Sequence, residues 1–228
     1  MTATLPDRIL GLLAKWPTPG QVKTRLAAET SPEWAARVAY AFLADTIERL
    51  AEIEAQRILV FAPSEARPFF AELAGPRFLL TPQSKGDLGC RMAAFFRDVF
   101  RHGPAKAVLV GVDSPSLPLS YIESAFEQLP IADLVLGPAA DGGYYLVGCA
   151  GTIPPIFDHM NWGHSSVLSE TISRLNDPSC RFALLPPWYD VDTLNDWRML
   201  KGHLSALRRA GIDPKTPQTE KLAAESPW

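Results

Sequence analysis

Acidic side chains in two loops are the first candidates for chemistry in this sequence. Asp113 follows the apolar run 107–110, and Asp141 lies in the loop 137–143, which follows a second short apolar run, 133–136. Such runs are typical of strands buried in a parallel sheet. Open α/β folds bind ligands at the carboxyl edge of that sheet, so we expect the two acidic loops to face one space.

Asp190 and Asp192 form a second acidic pair, which follows the last predicted strand. Mg²⁺ takes few protein oxygens and completes its shell with phosphates and water, so carboxylates from separate loops beside a pyrophosphate fit Mg²⁺ or Mn²⁺. We therefore predict Asp113, Asp190 and Asp192 as metal ligands. Of the later two, we expect Asp190 to be the ligand and Asp192 to be partly structural, because Asp192 precedes a predicted helix whose free N–H groups a carboxylate can satisfy.

Two further observations bear on these late acids. Their i, i+2 spacing can turn both side chains to one side of an extended segment, so either could bind the metal. Thr193 and Asp196 have the spacing of a capping box at the start of the next helix.

The first loop is basic. Lys15, Lys23 and Arg25 lie within eleven residues after the first predicted strand. The loop matches neither the P-loop motif nor G-x-G-x-x-G, but cations and free backbone N–H groups ahead of a helix can still bind a pyrophosphate. The alternative is a set of solvated surface lysines. We expect Lys23 and Arg25 to hold phosphates and not to pair with surface acids.

Alternating strands and helices position these loops. We predict a three-layer α/β sandwich with a mainly parallel central sheet. The predicted strands are 9–14, 57–62, 77–80, 107–110, 133–136, 144–147 and 181–185, and the predicted helices are 31–53, 65–73, 88–101, 121–129, 165–176 and 194–210. Two prolines and a glycine in residues 15–26 predict a shaped loop there and not a helix.

Composition limits the class of protein. We predict one domain over residues 1–210 and a loosely ordered tail over residues 211–228. A net charge of −3 argues against a nucleic-acid or anionic-membrane surface, so the expected partner is a small molecule. Scattered cysteines and the lack of a signal-like or membrane-spanning apolar run indicate a cytoplasmic protein, whose oligomeric state the sequence leaves open.

Five motifs in order carry a resemblance to a known family. They are residues 14–26; Gln83 with 86–89 and 91–92; residues 113–115; residues 137–139 with 141–145; and residues 190–193. From about residue 8 to residue 203 the chain resembles the bacterial radical-SAM/selenodomain-associated transferases, which are nucleotide-diphospho-sugar transferase-like proteins of the glycosyltransferase-A fold. It is more distantly similar to 2-phospho-lactate guanylyltransferase and to the molybdenum-cofactor nucleotidyltransferases.

The resemblance implies a role for each motif. It implies that Lys15, Lys23 and Arg25 hold the phosphates of a nucleotide, that Gln83 and Gly86 lie near its base, and that Asp113 with a late Asp holds the metal. The loop of Asp141, Gly142 and Gly143 would face the acceptor or the transferred group. The implied catalytic residues are Asp113, Lys23 and Asp141.

One position departs from the glycosyltransferase pattern. Glycosyltransferases of this fold commonly carry Asp-x-Asp, whereas residue 111 is Gly in this sequence. We therefore expect a Mg²⁺-dependent transferase acting on a nucleotide-diphospho-sugar, with two alternatives. The first is nucleotidyl transfer from an NTP to a phosphorylated acceptor with release of pyrophosphate. The second is a non-catalytic nucleotide-sensing module.

Overall fold

A seven-stranded sheet lies at the centre of the fold in the computed structural model, which describes residues 7–175 and 177–228. Its strands are β1 (Arg8–Lys15), β2 (Gln56–Ala62), β3 (Leu79–Pro82), β4 (Lys106–Val110), β5 (Leu134–Pro138), β6 (Tyr144–Ala150) and β7 (Phe182–Leu184). The spatial order is β3-β2-β1-β4-β6-β5-β7, and β6 alone among them runs antiparallel to its neighbours. The predicted mainly parallel α/β sheet is confirmed.

Helices cover the sheet. The helices are α1 (Thr24–Glu29), α2 (Pro32–Leu50), α3 (Arg67–Ala74), α4 (Leu88–Phe100), α5 (Leu119–Gln128), α6 (Val167–Ser173), α7 (Leu194–Arg209) and α8 (Pro217–Glu225). One core cluster packs α2, α3 and α5 on one face of the sheet, and a second packs α4 on the other face. Strand β4 contributes alternate residues to both clusters, because neighbouring side chains on a strand point to opposite faces.

Several helix starts follow the local signals in the sequence. The hydroxyl of Ser31 accepts a 3.1 Å hydrogen bond from the N–H of Trp34, and Pro32 occupies the first position of α2. The predicted capping box at the start of α7 is present in full, with Thr193 and Asp196 each accepting from the other's backbone N–H. Short-range patterning therefore set these boundaries.

Several predicted boundaries need correction, and β6 extends to Ala150 instead of ending at residue 147. Helix α1 occupies the end of the segment that we predicted as a loop, because residues 24–29 contain no Gly or Pro and Leu26 is buried in the core. Strand β3 begins later than predicted, since residues 75–77 form a 3₁₀ turn. Helix α6 is shorter than the predicted 165–176, and the predicted end at Asn176 lies outside the described residues.

The expectation of a loosely ordered C-terminal tail is wrong for residues 217–225, which form α8. The carboxylate of Asp45 is 1% exposed and accepts hydrogen bonds from the N–H groups of Gln218 (3.0 Å) and Thr219 (2.8 Å), the first turn of α8. Leu222 packs in a third core cluster with Trp34 and Trp197. A buried cap on a distant helix holds this segment, and the sequence near residue 217 does not reveal it. That a single domain spans residues 1–210 stays a prediction.

The helices can be compared with the requirements for spanning a membrane. Among the helices of residues 7–175 and 177–228, none has both the length and the apolar character needed to cross a membrane.

Candidate active site

Lys23 lies at the centre of the candidate site, between the loop after β4 and the loop after β7. Its Nζ donates a 2.6 Å hydrogen bond to Oδ1 of Asp113 and a 2.7 Å hydrogen bond to the carbonyl oxygen of Val191, and it lies 3.5 Å from Oδ1 of Asp192. The Lys23 side chain is only 3% exposed. The structure therefore joins the basic loop to both groups of acids through one ammonium group.

The backbone of Lys23 is unusual. Lys23 is the residue before α1, and its φ of 44° and ψ of 50° lie in the left-handed region. Residues with a Cβ seldom adopt this conformation, and Asn and Asp are the usual exceptions. Lys23 keeps this conformation while its backbone carbonyl oxygen accepts a 2.8 Å hydrogen bond from the N–H of Ala27 in the first turn of α1.

Two hydrogen bonds tie the acidic loops to each other. The N–H of Val191 donates to the carbonyl oxygen of Asp113 over 2.9 Å, and the hydroxyl of Ser114 donates to Oδ1 of Asp190. The contact between Ser114 and Asp190 joins residues 76 positions apart, and no local pattern in the sequence indicated it. The two loops are fixed as one unit, and the acids cannot separate without breaking both bonds.

The electrostatics of Asp190 differ from those of an ordinary surface acid. Burial raises the pKa of Asp190 to about 7, against the hydrogen bond from Ser114, which lowers it. Repulsion from Asp113, Asp141 and Asp192 raises this pKa further. The structure thus places four acids close enough to interact, and it concentrates negative charge at the carboxyl edge of the sheet.

Asp192 has a different environment from the one that we predicted. Burial and then repulsion from Asp113 raise its pKa, while Lys23 and Arg25 lower it. Its Oδ2 lies 3.2 Å from Nη2 of Arg25. The expectation that Asp192 caps the following helix is wrong, because Thr193 and Asp196 satisfy that helix start between themselves. Asp192 is instead the acid that neutralises the basic loop.

The expectation that Lys23 and Arg25 do not pair with acids is also wrong. Lys23 pairs with Asp113 and Asp192, and Arg25 pairs with Asp192. For Lys23 the physical reason is burial, because a lysine ammonium group withdrawn from water needs oxygen partners. Arg25 is 62% exposed and remains accessible to a ligand. Lys15 is exposed at the end of β1, and within the described part of the chain no ion pair joins it to an acid.

The loop that carries Asp141 is shaped by glycine. Gly142 has a φ of +92°, and a Cβ added there would lie 1.9 Å from the carbonyl oxygen of Ser165. Its own carbonyl oxygen accepts a 2.8 Å hydrogen bond from the N–H of Leu168. Asp141 is exposed, and its Oδ1 accepts from the N–H of Gly143 over 2.9 Å. Gly142 therefore has a structural requirement, and ligand contacts by these three residues stay predictions.

Gln83 and Gly86 lie at the other end of the same sheet edge. Both N–H bonds of the Gln83 amide are used within the protein, to the carbonyl oxygens of Ala14 (2.8 Å) and Val60 (3.0 Å), and its Oε1 accepts from Arg91 over 2.8 Å. Gly86 is exposed with a φ of +108°. Gln83 clamps the ends of β1 and β2, a role that the sequence did not indicate, and its proximity to a base stays a prediction.

The chemistry of these acids can be compared with the needs of a divalent metal ion. Within residues 7–175 and 177–228, no group of three or more His, Cys, Asp or Glu side chains is arranged to hold one. Mg²⁺ needs fewer protein ligands when phosphates and water complete its shell. Asp113 and Asp190 offer hard carboxylate oxygens, and a cation would relieve the repulsion acting on Asp190. These two residues fit such an ion, although Lys23 is paired with Asp113 in this structure. Asp192 is engaged by both Lys23 and Arg25.

Comparisons with known proteins identify the family of this chain. Residues 46–164, just over half of the chain, match the family described as uncharacterized protein conserved in bacteria (DUF2064). No protein with curated annotation is significantly similar.

Solved structures extend the likeness over nearly the whole chain. The chain is 30% identical to a presumed nucleotide-diphospho-sugar transferase from Desulfovibrio desulfuricans G20, with a TM-score of 0.85 and coverage of 97% of this chain and 98% of that one. A cytidylyltransferase from Leptospira borgpetersenii is 13% identical, with a TM-score of 0.58 over 97% of this chain and 95% of that one. The inositol-1-phosphate CTP transferase from T. maritima is also 13% identical, with a TM-score of 0.56 over 92% of this chain and 98% of that one.

The last two similarities show the fold alone, which is of the nucleotidyltransferase and glycosyltransferase-A type. The family match over more than half of the sequence shows that this chain belongs to the bacterial DUF2064 family.

Proposed function

We propose that the protein is a transferase that uses a divalent cation and takes a nucleotide-diphospho-sugar as its donor. The observation that carries the proposal is the convergence of Lys23 with Asp113, Asp192 and the carbonyl of Val191 at the carboxyl edge of the sheet. Cations and carboxylates held together at such an edge suit a ligand with a charged diphosphate and its metal ion.

Each residue then has a role in the transfer. Asp113 and Asp190 would hold Mg²⁺ or Mn²⁺, which when bound neutralises charge on the diphosphate. Arg25, exposed beside the acids, and Lys15 at the end of β1 contact the phosphates. Lys23 stabilises the negative charge that develops on the departing diphosphate. Because Asp192 offsets part of the charge of Lys23 and Arg25, it keeps both side chains oriented.

The loop of Asp141 serves the other substrate in this proposal. Asp141 is exposed, and the N–H of Gly143 fixes one of its carboxylate oxygens. The other oxygen is able to accept a hydrogen bond from a hydroxyl group of the acceptor or of the transferred sugar. The resemblance to the radical-SAM/selenodomain-associated transferases and the name of the Desulfovibrio protein both support a nucleotide-diphospho-sugar as the donor.

A second candidate is nucleotidyl transfer, and Gly111 favours it. Residue 111 lies two positions before Asp113, where Asp-x-Asp glycosyltransferases carry an acid. It is an exposed glycine, and a Cβ added there would meet nothing within 4 Å. A single acid after β4 with a partner from a distant loop suits a phosphorylated acceptor that attacks the α-phosphorus of an NTP. Pyrophosphate is then the leaving group.

Thermal-shift measurements test both candidates. A panel of NTPs, NDPs and NDP-sugars with and without Mg²⁺ identifies the ligand, because binding to the folded state stabilises it by RT ln(1 + [L]/Kd). We expect a Mg²⁺-dependent shift with an NDP-sugar. A shift with an NTP, together with release of pyrophosphate on adding a phosphorylated acceptor, would establish the second candidate. A nucleotide shift without turnover of any donor would indicate a non-catalytic nucleotide-sensing module.

A further inference from the structure

Lys23 places a positive charge between carboxylates of the proposed metal and phosphate site. Its Nζ lies 2.6 Å from Oδ1 of Asp113 and 3.5 Å from Oδ1 of Asp192, and the side chain is 3% exposed. The ring of Phe42 covers it, with Nζ 4.9 Å from the ring centroid. The protein therefore neutralises this part of the site with its own cation.

An ammonium group in this position competes with a divalent cation. Asp113 cannot turn the same oxygen to both ions, and two cations at such short range repel each other strongly where water is partly excluded. A diphosphate favours the metal in this competition, because its negatively charged oxygens can accept hydrogen bonds from the ammonium group of Lys23 in place of Asp113. The charge on Asp192 remains offset when Lys23 leaves, since Arg25 lies 3.2 Å from its other oxygen.

We propose that Lys23 is an exchangeable counter-ion. Without ligand it is held by Asp113 and Asp192, and when metal and nucleotide bind it moves to the phosphates and leaves Asp113 to the metal. The inference rests on the proposed function for the identity of the ligand, a nucleoside di- or triphosphate. Its consequence is that metal and nucleotide bind cooperatively, each raising the affinity for the other by the same factor.

The left-handed backbone of Lys23 supports the exchange. A φ of 44° is an unfavourable conformation for lysine, and the side chain of this residue is held by Asp113, Asp192 and the carbonyl oxygen of Val191. When those contacts are given up for a phosphate, the turn before α1 is free to relax. The ion pair is thus not a permanent clamp of the fold.

Metal binding in the absence of nucleotide provides the direct test. Mn²⁺ titrations followed by electron paramagnetic resonance are compared for the wild type, Lys23→Met and Lys106→Met. Lys106 is a matched control, because its Nζ also lies 2.6 Å from an acid, Oδ2 of Asp7, but at the opposite end of β4. We expect Lys23→Met to bind Mn²⁺ about tenfold more tightly than the wild type, and Lys106→Met to match the wild type.

The same titrations with a nucleoside diphosphate present measure the coupling. We expect the diphosphate to strengthen Mn²⁺ binding much more in the wild type than in Lys23→Met. Equal Mn²⁺ affinities of wild type and Lys23→Met without nucleotide, weaker binding by the variant, or no binding by either protein would overturn the proposal.

A measurement on the wild-type protein keeps the proposal testable if Lys23→Met does not fold. Reductive methylation of the lysines, read by mass spectrometry, should be slow at Lys23 in the free protein and faster when Mn²⁺ alone displaces it. Lys106 provides the internal reference. Slow methylation of Lys23 at a saturating Mn²⁺ concentration would show that Lys23 does not leave the acids.

This test is separable from that of the proposed function. If Lys23→Met binds Mn²⁺ more tightly but no nucleotide shifts the melting temperature, the exchange stands and the assigned ligand is wrong. If nucleotide binding depends on Mg²⁺ but the Mn²⁺ affinities are equal, the function stands and the exchange is wrong.

Discussion

The N–H of Val191 donates a 2.9 Å hydrogen bond to the carbonyl oxygen of Asp113. These residues are far apart in the chain, and this bond brings the loop after β7 into contact with the loop after β4. Lys23 then binds both partners, through the Asp113 carboxylate and the Val191 carbonyl oxygen. The position of each acid therefore depends on the other loop, and changes in either should affect ligand binding before they affect the core.

Asp113→Asn should remove metal-dependent nucleotide binding while leaving the fold intact. The Asp113 side chain is 46% exposed, and asparagine keeps an oxygen that can accept from Lys23. We expect the melting temperature to change little and the Mg²⁺-dependent part of the nucleotide shift to disappear. Asp98→Asn on the exposed surface of α4 is the control. An unchanged shift in Asp113→Asn would rule out Asp113 as a metal ligand.

Asp190 should make the metal-free protein less stable as the pH rises. The folded pKa is about 7 against an ordinary 3.8, so between these values the folded state binds more protons than the unfolded chain. The free energy of unfolding then falls as the pH rises from about 4 to 7 and stays lower above that range. Asp190→Asn should remove this loss. We therefore expect the free energy of unfolding of the variant to exceed that of the wild type by on the order of 1 to 4 kcal/mol at pH 8 and by little at pH 4.

Thermal melting in the presence of a chelator, from pH 4 to pH 8, measures this effect. Ser114→Ala is the companion variant, because it removes the hydrogen bond that lowers the pKa of Asp190 and should deepen the loss of stability. Melting curves for wild type and Asp190→Asn that run parallel over the whole range would refute the prediction.

Arg25→Ala should weaken binding of phosphates selectively. Its pair with Asp192 is exposed, so its loss should cost at most about 1 kcal/mol of stability. The affinity for a nucleoside di- or triphosphate should fall much more than the affinity for the bare nucleoside, as isothermal titration would show. Arg37→Ala, which breaks an exposed pair with Glu225, is the matched control. Equal losses for both ligands would mean that Arg25 does not contact the phosphates.

Gly142→Ala should be far more damaging than Gly163→Ala. Both glycines have nearly the same φ, +92° and +91°, but a Cβ at Gly142 would meet Ser165, whereas a Cβ at Gly163 meets nothing within 4 Å. Gly163→Ala is the control, and we expect it to lower the free energy of unfolding by about 1 kcal/mol because of the backbone conformation alone. Gly142→Ala should lower it by roughly 3 kcal/mol or more. Chemical denaturation measures both, and similar costs would show that the loop relaxes around the added methyl group.

Asp45→Ala should release the C-terminal helix. The variant leaves the N–H groups of Gln218 and Thr219 without their acceptor, at a cost of roughly 1 to 3 kcal/mol. We expect limited proteolysis to cut within residues 217–225 before the rest of the chain unfolds. Asp45→Asn, which keeps one acceptor oxygen, should show a smaller effect. Resistance to protease equal to that of the wild type would mean that the packing of Leu222 suffices.

Local patterns in the sequence predicted the framework well. The apolar run 107–110 identified β4, Ser31 with Pro32 identified the start of α2, and the spacing of Thr193 and Asp196 identified a capping box. In each case the determining interactions lie within a few residues. The grouping of the acids that follow the strands could also be predicted, because the carboxyl ends of parallel strands lie at one edge of the sheet.

The partners of the site residues did not follow from the sequence. Lys23 lies 90 positions from Asp113 and 168 from Val191, and no local spacing encodes which of the nearby acids receives its ammonium group. Likewise, the amide of Gln83 reaches two carbonyl oxygens on separate strands. Side-chain contacts of this range depend on how whole layers pack, so only the folded chain reveals them.

The position of β6 between β4 and β5 has a consequence for biosynthesis. In the sheet β6 separates β4 from β5, although β5 comes earlier in the chain. A nascent chain that has been synthesised only through β5 therefore has β4 as an open edge, with unpaired N–H and C=O groups that invite pairing with other chains. Residues 144–150 close that edge, so ribosomal stalling or truncation just before them should yield the most aggregation-prone fragments of this protein.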